Sequence, residues 1–391
     1  MWEESSKFAP FEKVALLGTG LMGGSLGMAL RERRLAREVW GYNRSEASLV
    51  EAREKGAVDH YSLSIKEVVE GADLVVLSVP IRYCRELAEA SAPYLSPGAL
   101  VTDLGSTKSY LMDRISGVIP EHACYVGGHP MTGSEQSGIS AAEPTLWENA
   151  VYVLTPSSDA PDFHVENLKW MVEKIGAQPL FLSPGKHDRM VALTSHLPHL
   201  VAVAMVQVAA GENNGDLLRS LAAGGFRDTT RVAMGSPEVW KDICITNGEA
   251  IADGLEKAVN VLQEMRQIML EENEEHLGSI LQEASEYRKS IPYRARSIFP
   301  EIFEVIVLVK DHPGVIGRVA TLLGKKGINI AEIEILHVRE EEGGTMRLGF
   351  RDKEQRDLAL ELLKETGYRA HRREVSSWKE RERNSDAEVI F

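Results

Sequence analysis

A run of glycines near the start of the chain has the spacing of a phosphate-binding loop. Gly18, Gly20 and Gly23 directly follow the apolar stretch Val14–Leu17 and precede a segment with helical spacing. The first glycine permits a tight turn, the second lets a pyrophosphate approach the backbone, and the third lets the helix pack on the strand. Free N–H groups at the helix start attract phosphate. This strand–turn–helix context favours a dinucleotide site over a glycine turn without a ligand.

The residues after the second predicted strand bear on which dinucleotide is bound. About 20 residues beyond the glycines, an acidic side chain usually holds the ribose hydroxyls of NAD. This chain has Asn43, Arg44 and Ser45 there. Asn43 can bond the ribose, while Arg44 and Ser45 suit a 2′-phosphate, which favours NADP or acceptance of both NAD and NADP. Ser78 and Pro80 end the third predicted strand, where the nicotinamide half should lie. The predicted cofactor-binding residues are Gly18, Gly20, Leu21, Met22, Gly23, Asn43, Arg44, Ser45, Ser78 and Pro80.

Four further segments place polar side chains where strands or helices should end, which is where α/β folds bind ligands. They read TDLGSTK from Thr102, GGHPMTGSEQSG from Gly127, SHLPH from Ser195 and GGFRDTTR from Gly224. In this order and spacing they resemble the prephenate dehydrogenases, the oxidative enzymes of tyrosine biosynthesis. The resemblance runs from about residue 12 to residue 373 and includes a C-terminal ACT domain.

The resemblance implies an NAD(P)-dependent oxidoreductase that converts prephenate to 4-hydroxyphenylpyruvate. Hydride leaves C4 of the ring for the nicotinamide, the 4-hydroxyl gives up its proton, and the ring carboxylate departs as CO₂ while the ring becomes aromatic. Because aromatisation supplies much of the driving force, the protein needs chiefly to orient the substrate, accept a proton and hold carboxylates.

Two residues are the candidate catalytic pair. His129 is the predicted general base, because imidazole titrates near neutral pH. Its flanking glycines and Pro130 are expected to hold it in a rigid loop, and a capping or core histidine is the alternative. By resemblance, Ser106 bonds this histidine or the substrate hydroxyl and touches the nicotinamide. An ordinary helix N-cap is the alternative for Ser106.

Four residues are candidate substrate ligands. His196 and His199 are three apart on one predicted helix and share a face. By resemblance they line the substrate pocket, with a structural role or a metal site as alternatives; no third ligand motif lies nearby, so no metal is predicted. Arg231 suits a carboxylate through its planar fork, with Arg227 as a competitor and a surface arginine as the alternative. By resemblance Glu135 closes the site, although a solvated glutamate fits equally well.

A second candidate binding site lies near the C-terminus. Asp311, Pro313 and Gly314 precede a predicted helix, and Asn329 and Ile330 begin the next predicted strand. These residues resemble the effector loop of ACT domains, modules that commonly bind amino acids at paired-domain interfaces. Free N–H groups before the helix suit a carboxylate. Tyrosine, the end product of the pathway, is the expected effector, and an ACT domain that only dimerises is the alternative.

The elements that must position these residues divide the chain into successive parts. Strands alternate with helical segments at first, which predicts a Rossmann-like, doubly wound parallel α/β sheet. An all-helical region follows, in which Val201–Ala210 is apolar nearly all round and therefore predicts burial, for instance in a homodimer interface. The last ordered part has the βαββαβ order of a ferredoxin-like domain. The predicted bounds are 12–183 for the Rossmann domain, 184–288 for the helical substrate and dimerisation domain, 289–300 for a linker, 301–375 for the ACT domain and 376–391 for a charged tail.

Composition narrows the class of protein. The net charge of −14 disfavours nucleic acid as a partner. Three scattered cysteines without a CxxC motif indicate a reducing compartment. The chain shows neither a signal-peptide pattern nor an uninterrupted apolar run of membrane-spanning length. We therefore expect a soluble, cytoplasmic protein that does not bind a membrane.

Three other functions fit parts of the sequence. An arogenate dehydrogenase, or a dual-specificity cyclohexadienyl dehydrogenase, would differ only in pocket residues that the sequence does not identify. A β-hydroxyacid-type dehydrogenase shares the two-domain plan but not SHLPH or GGFRDTTR. A non-catalytic amino-acid sensor would not need His129, Ser106, Arg231 and all three fingerprint glycines.

Overall fold

A computed structural model describes residues 8–133, 136–212, 215–291, 303–309, 313–336 and 344–372. The chain forms two compact units, Met1–Glu286 and Tyr287–Phe391. Each unit is described by itself below.

An eight-stranded sheet organises the first unit. Its strands are β1 Phe11–Leu17, β2 Ala36–Tyr42, β3 His60–Ser62, β4 Leu74–Leu77, β5 Leu100–Asp103, β6 Cys124–Pro130, β7 Val151–Pro156 and β8 Gln178–Phe181. Their order across the sheet is β3-β2-β1-β4-β5-β6-β7-β8. All neighbours are parallel except β6 and β7, which pair antiparallel. The predicted Rossmann-like sheet is confirmed, with this one reversal added.

Helices cover both faces of this sheet. They are α1 Leu21–Glu32, α2 Glu46–Glu54, α3 Ile65–Val69, α4 Ile81–Ser91, α5 Ser109–Ile115 and α6 Asp162–Lys174. Successive β1 residues alternate between two cores: Val14 and Leu16 belong to one, Ala15 and Leu17 to the other. A strand buried on both faces reads as a continuous apolar run, and for this reason β1 was recognisable from sequence.

The helical region begins after β8. Its helices are α7 Pro184–Val191, α8 Leu197–Ala210, α9 Gly215–Leu221, α10 Gly224–Thr230, α11 Pro237–Thr246, α12 Gly248–Leu270 and α13 Glu274–Ser290, with a π-helical turn at Ala192–His196. Within Val201–Ala210 only Ala202 is buried, so the expected burial of this helix is not provided by its own chain. Large apolar side chains such as Val208, Leu221 and Ile245 are at least 70% exposed.

The helical stretch Pro184–Ala210 also meets length and composition criteria for a membrane span, with a mean hydropathy of 1.5. In the described part of the chain it is the one helix that does so. The core helix of a globular protein meets the same criteria. This stretch carries two buried histidines of the first unit: His196 contacts Asn247, and His199 stacks on Trp240.

The second unit is a four-stranded antiparallel sheet with two helices. Its elements are β9 Phe303–Val309, α14 Val315–Gly324, β10 Glu332–Leu336, β11 Gly344–Phe350, α15 Lys353–Glu365 and β12 Arg369–Arg372. The sheet order is β10-β11-β9-β12. This is the predicted ferredoxin-like βαββαβ order. The third element begins three residues later than the predicted Asn329, because Asn329 lies in the turn before the strand.

Candidate active site

Two of the three fingerprint glycines, Gly18 and Gly20, line one end of an open cleft. Gly18 has a φ of +111°, and a Cβ built there would lie 2.1 Å from the carbonyl oxygen of Ser78. A Cβ on Gly23 would lie 2.0 Å from the carbonyl oxygen of Gly18, whereas one on Gly20 would meet nothing within 4 Å. Gly18 and Gly23 therefore serve close packing. Gly20 instead leaves backbone open to the cleft, as a bound pyrophosphate requires.

The cleft encloses about 260 Å³ at the carboxyl ends of β1, β2 and β4. Leu21 and Met22 form the first turn of α1, whose N–H groups face this end of the sheet. The described residues that line it are Gly18, Thr19, Gly20, Tyr42, Asn43, Arg44, Ser78, Val79, Pro80, Tyr83, Glu86 and Leu87. This lining fits a dinucleotide placed along the switch point of a doubly wound sheet.

Asn43 and Arg44 lie at one wall of the cleft, and Ser45 follows them outside it. The Asn43 amide donates to Thr19 Oγ1 at 3.2 Å, which orients its oxygen. The exposed Arg44 guanidinium lies over the Tyr83 ring, 5.0 Å from its centroid. Ser45 caps α2 through a hydrogen bond from Ser48 N and does not line the cleft. Of the two predicted phosphate ligands, Arg44 is therefore the better placed.

His129 lies at the end of β6, in line with the ends of β4 and β5. The prediction of a loop is wrong, because β6 continues to Pro130 and His129 pairs with Val153 of the antiparallel β7. The half-buried ring is part of a hydrogen-bonded chain. Its Nδ1 lies 2.7 Å from His187 Nε2, and His187 Nδ1 lies 2.8 Å from Asp188 Oδ1.

The last member of this chain determines where the protons lie. Burial acts to raise the pKa of Asp188, but hydrogen bonds from His187, Lys108 N and Ser109 hold it below its ordinary value. The ionised Asp188 accepts from His187 Nδ1, and the His187 tautomer that donates there presents Nε2 as an acceptor. In this arrangement His129 donates its Nδ1 proton to that acceptor. Its Nε2 is left unprotonated, which is the form that a general base requires.

The surroundings of His129 also keep it neutral. Burial lowers its pKa well below the ordinary histidine value, and His187, Lys108 and His196 lower the pKa further. A base with a depressed pKa is available at neutral pH, although it is intrinsically weaker.

A second polar group lies directly behind His129. Asp103 and Lys108 form an ion pair in which both side chains are fully buried. Asp103 Oδ1 accepts the Tyr125 hydroxyl at 2.7 Å, and Lys108 Nζ donates to the carbonyl of Gly128 at 2.5 Å. A Cβ on Gly128 would lie 2.6 Å from the Asp103 carbonyl oxygen, so this position accepts only glycine while that packing is kept.

His196 and His199 are both buried at the start of α8. His196 Nδ1 lies 3.2 Å from Asn247 Nδ2, and that amide also donates to the Asp188 carbonyl. Burial lowers the pKa of His196 to about 4. The His199 ring stacks on Trp240 with centroids 3.4 Å apart. Both rings contact the same residue, Trp240, so the two histidines lie on one side of the helix.

The other predicted residues are less closely tied to His129. Ser106 is half-buried and bonds no side chain in the described ranges. The N-cap alternative for Ser106 is wrong, since α5 begins at Ser109 and Lys108 is its cap. Arg231 follows α10 and begins a 3₁₀ turn, with its side chain exposed. Glu135 lies outside the described residues.

Several site residues were not singled out from the sequence. They are Asp103, Lys108, Tyr125, His187, Asp188 and Asn247. Asp103 and Lys108 belong to the TDLGSTK segment, so their position at a strand end was a usable signal. His187 and Asp188 lie near the start of α7, and no spacing rule connects them to His129. In the part of the chain that the structure describes, no group of three His, Cys, Asp or Glu side chains is arranged to hold a metal ion.

Three family models match successive parts of the chain. Residues 26–180 match the prephenate dehydrogenase nucleotide-binding domain, and residues 183–283 match the prephenate dehydrogenase dimerization domain. Residues 303–366 match the ACT domain. The prephenate dehydrogenase of Bacillus subtilis (strain 168) is 34% identical over 354 residues, which cover 90% of this chain and 95% of that protein.

This chain belongs to the prephenate dehydrogenase family. Solved structures of the family superpose on its first part. A prephenate dehydrogenase from A. aeolicus, crystallised with hydroxyphenyl propionate and NAD⁺, has a TM-score of 0.68 and 32% identity, covering 72% of this chain and 98% of that one. A Synechocystis arogenate dehydrogenase has a TM-score of 0.64 and 32% identity, covering 71% and 99%.

Proposed function

We propose that this protein oxidises and decarboxylates prephenate to 4-hydroxyphenylpyruvate, reducing NAD(P)⁺ and releasing CO₂, in L-tyrosine biosynthesis. The observation that carries the proposal is the His129–His187–Asp188 chain at the strand ends beside the dinucleotide cleft. A bound nicotinamide supplies the hydride acceptor. Gly18, Gly20 and the first turn of α1 would hold its pyrophosphate, and Ser78 and Pro80 would flank the nicotinamide half.

His129 takes the proton of the substrate 4-hydroxyl on Nε2 as hydride leaves C4. The imidazolium that forms donates through Nδ1 to His187, and the Asp188 carboxylate balances the added charge through His187. When the ring carboxylate departs, the electron pair of the broken C–C bond aromatises the ring, and the proton returns from His129 to the oxygen. The chain of three side chains therefore holds one proton without losing it to solvent.

Substrate carboxylates need cationic or donor groups, and the candidates lie on the helical side of the site. We assign one carboxylate to Arg231, whose forked guanidinium matches carboxylate geometry. His199 and His196 line the same region, with His199 the more direct contact. Ser106 remains the candidate that bonds His129 or the 4-hydroxyl, and Glu135 the candidate that closes the site.

Arogenate is the second candidate substrate, because the Synechocystis relative is an arogenate dehydrogenase. Arogenate carries an amino group where prephenate carries a keto group, so both would meet the same base and the same cleft. Comparing kcat/KM for prephenate and arogenate decides between a prephenate enzyme, an arogenate enzyme and a dual-specificity enzyme.

Assembly and regulation complete the proposal. Exposed apolar side chains on α8, α9 and α11, within a region that matches a dimerization domain, favour a homodimer. Tyrosine is the proposed effector of the ACT domain. Gly314 supports this role with a left-handed φ of +86° at the start of α14, beside Pro313, while Asn329 is exposed, Ile330 packs on the core and Asp311 lies outside the described residues. Three free cysteines fit a cytoplasmic location.

The direct test replaces the base. His129→Asn should lower kcat with prephenate by about 10²- to 10⁴-fold, the usual contribution of a general base. Cofactor affinity, measured by fluorescence titration, should stay within about twofold of the wild type, since His129 does not line the dinucleotide cleft. Near-normal turnover in this variant would remove His129 from the reaction.

A further inference from the structure

The ion pair of Asp103 and Lys108 lies where strands β5 and β6 stop pairing with each other. Strands β5 and β6 pair only as far as Thr102 and Val126, yet β6 continues to Pro130. Beyond Val126, the backbone groups of β6 that face β5 need other partners, since buried peptide groups are costly when unpaired.

The side chains of the pair supply those partners. Gly128 N donates to Asp103 Oδ1 at 3.2 Å, and the Gly128 carbonyl accepts from Lys108 Nζ at 2.5 Å. Both backbone groups of the residue before His129 are thus held by one buried ion pair. The pair supplies β6 with the hydrogen bonds that a neighbouring strand supplies elsewhere in the sheet. It thereby fixes the direction in which the His129 side chain projects from β6.

The same two residues hold the other parts of the site. Gly105 N, next to Ser106, donates to Asp103 Oδ2 at 2.7 Å. Lys108 N donates to Asp188 Oδ1 at 2.8 Å, which is the oxygen that His187 also contacts. Lys108 therefore contacts both ends of the His129–His187–Asp188 chain. Its side chain bonds Gly128, next to His129, and its backbone N–H bonds Asp188.

Stability alone does not explain a fully buried ion pair. The cost of removing two charges from water can exceed their attraction, and well-packed apolar residues often replace such pairs without loss of stability. A charge in this position acts on its neighbours, because a low local dielectric strengthens its field.

Both charges of the pair reach the residue before the base, since Lys108 Nζ and Asp103 Oδ1 each contact Gly128. Lys108 acts on His129 as a like charge. The titratable and charged groups around His129 come from several elements. They are His187 and Asp188 of α7, His196 of the π-helical turn, Asp103 of β5, Lys108 before α5, Tyr125 of β6 and Tyr152 of β7.

We propose that Lys108 is a positioning residue of the reaction: its ammonium group holds the backbone at Gly128, which aims His129 at the substrate, and its charge acts on His129 from within the same buried cluster. The proposal rests on the role of His129 as the base. It adds an electrostatic function for the lysine of the TDLGSTK segment.

The test compares three proteins with the wild type. They are Lys108→Met, the double variant Asp103→Asn with Lys108→Met (the neutral pair), and Lys55→Met as a matched control. Lys55 also donates to a backbone carbonyl, that of Ser140, but at the surface and away from His129. Two quantities are measured in each protein: the pH profile of kcat/KM with prephenate, and the pH dependence of His129 modification by diethyl pyrocarbonate, mapped by mass spectrometry. The second reports the pKa of His129 whether or not it is the base.

Both Lys108 variants should lose about 10²-fold or more in kcat, as expected when a catalytic group is misplaced by about 1 Å. The pKa of His129 should rise in both assays, because a like charge has been removed. Lys55→Met should change neither quantity. Restored activity and unchanged pKa values in the neutral pair would overturn the proposal.

The two assays separate the proposal from the base assignment. An unmoved pKa in the modification assay would overturn the role of Lys108 alone. A raised pKa of His129 with an unmoved activity profile would overturn the role of His129 as the base, and with it the catalytic role of Lys108. Failure of both Lys108 variants to fold, judged by circular dichroism and Tm, would show a stabilising role and would overturn the proposal too.

Discussion

The cofactor cleft and the cluster around His129 lie at the same edge of one sheet but are built differently. The cleft depends on a contiguous run of glycines and on space that side chains leave open, as at Gly20. The cluster depends on side chains from four separate segments, joined by short hydrogen bonds and largely buried, such as Asp103, Lys108, His187 and His196. The cleft binds its ligand in space that side chains leave open, whereas the cluster around His129 depends on buried side chains in contact with one another.

This difference governs what a substitution should do. At Gly20 in the cleft, an added atom blocks a ligand without disturbing the protein. In the cluster, a removed atom leaves buried polar partners unsatisfied, which costs about 1–3 kcal/mol per group and also changes proton positions. Changes in the cleft should therefore affect KM for the cofactor, and changes in the cluster should affect kcat and the pH profile.

Beyond His129 and Lys108, the largest effect is expected at Asp188, the far end of the His129–His187–Asp188 chain. Asp188→Asn removes the charge that balances the proton on His129, and either orientation of the amide loses a hydrogen bond to His187, Lys108 N or Ser109 N. We expect kcat to fall by about 10²-fold, less than the loss of about 10⁴-fold seen when a carboxylate contacts the catalytic histidine directly. Steady-state kinetics with saturating cofactor measures it.

Asp59→Asn is the control for this substitution. Asp59 also accepts from a backbone amide, Val39 N, and from a cationic side chain, Arg31, but in a different part of the sheet. It should lower Tm with little change in kcat. An equal loss of kcat in both variants would contradict a specific role for Asp188.

Substitutions at Gly20 and Gly18 distinguish a glycine that leaves space for the cofactor from one that the protein's own packing requires. Gly20→Ala should raise the cofactor KM by about 10²-fold or less, the cost of a displacement of about 1 Å, and should leave Tm unchanged because its Cβ meets no protein atom within 4 Å. Gly18→Ala should lower Tm, since its Cβ would lie 2.1 Å from the Ser78 carbonyl oxygen. Thermal unfolding and cofactor titration of both variants test this. The reverse pattern would exchange the roles of the two glycines.

The preference for NADP or NAD should depend on Arg44, at the wall of the cleft. Arg44→Ala should raise the KM for NADP by about tenfold, the loss of one charge-assisted hydrogen bond, and should leave the KM for NAD nearly unchanged. Arg85→Ala is the control, because that arginine pairs with Glu89 on α4. A strong preference of the wild-type enzyme for NAD would count against the assignment of Arg44 to a 2′-phosphate.

The smallest effect is a loss of stability in mild acid. His129 and His196 are held neutral in the folded protein, with the pKa of His196 lowered to about 4. Histidines in the unfolded state bind protons below about pH 6.5, whereas these two in the folded state do not. The free energy of unfolding therefore decreases as the pH is lowered from about 6.5 toward the folded-state pKa. At about pH 5.5 the expected loss is about 1 kcal/mol for His196, measured by urea unfolding. His196→Gln should flatten this dependence.

The regions also differ in how far the sequence predicts them. Strand β1 and the fingerprint were predictable because a buried strand, a glycine turn and a helix are all encoded by neighbouring residues. The antiparallel β7 was not, since the reversal depends on how β6 extends past Val126. His129 was found through its motif, but its partners His187 and Asp188 were not. Hydrogen bonds between residues 58 positions apart leave no periodic signal in the sequence.

The reversal at β7 has a consequence for how the active-site edge can vary among sequences. A parallel strand needs a crossover that returns the chain to the opposite edge, but an antiparallel strand starts where its predecessor ended. The connection from Met131 to Ala150 therefore begins and ends beside His129. Changes next to Met131 or Ala150 therefore alter the rim of the site without altering strand order, whereas Ile139 and Trp147 of the connection are buried in the core and hold it in place.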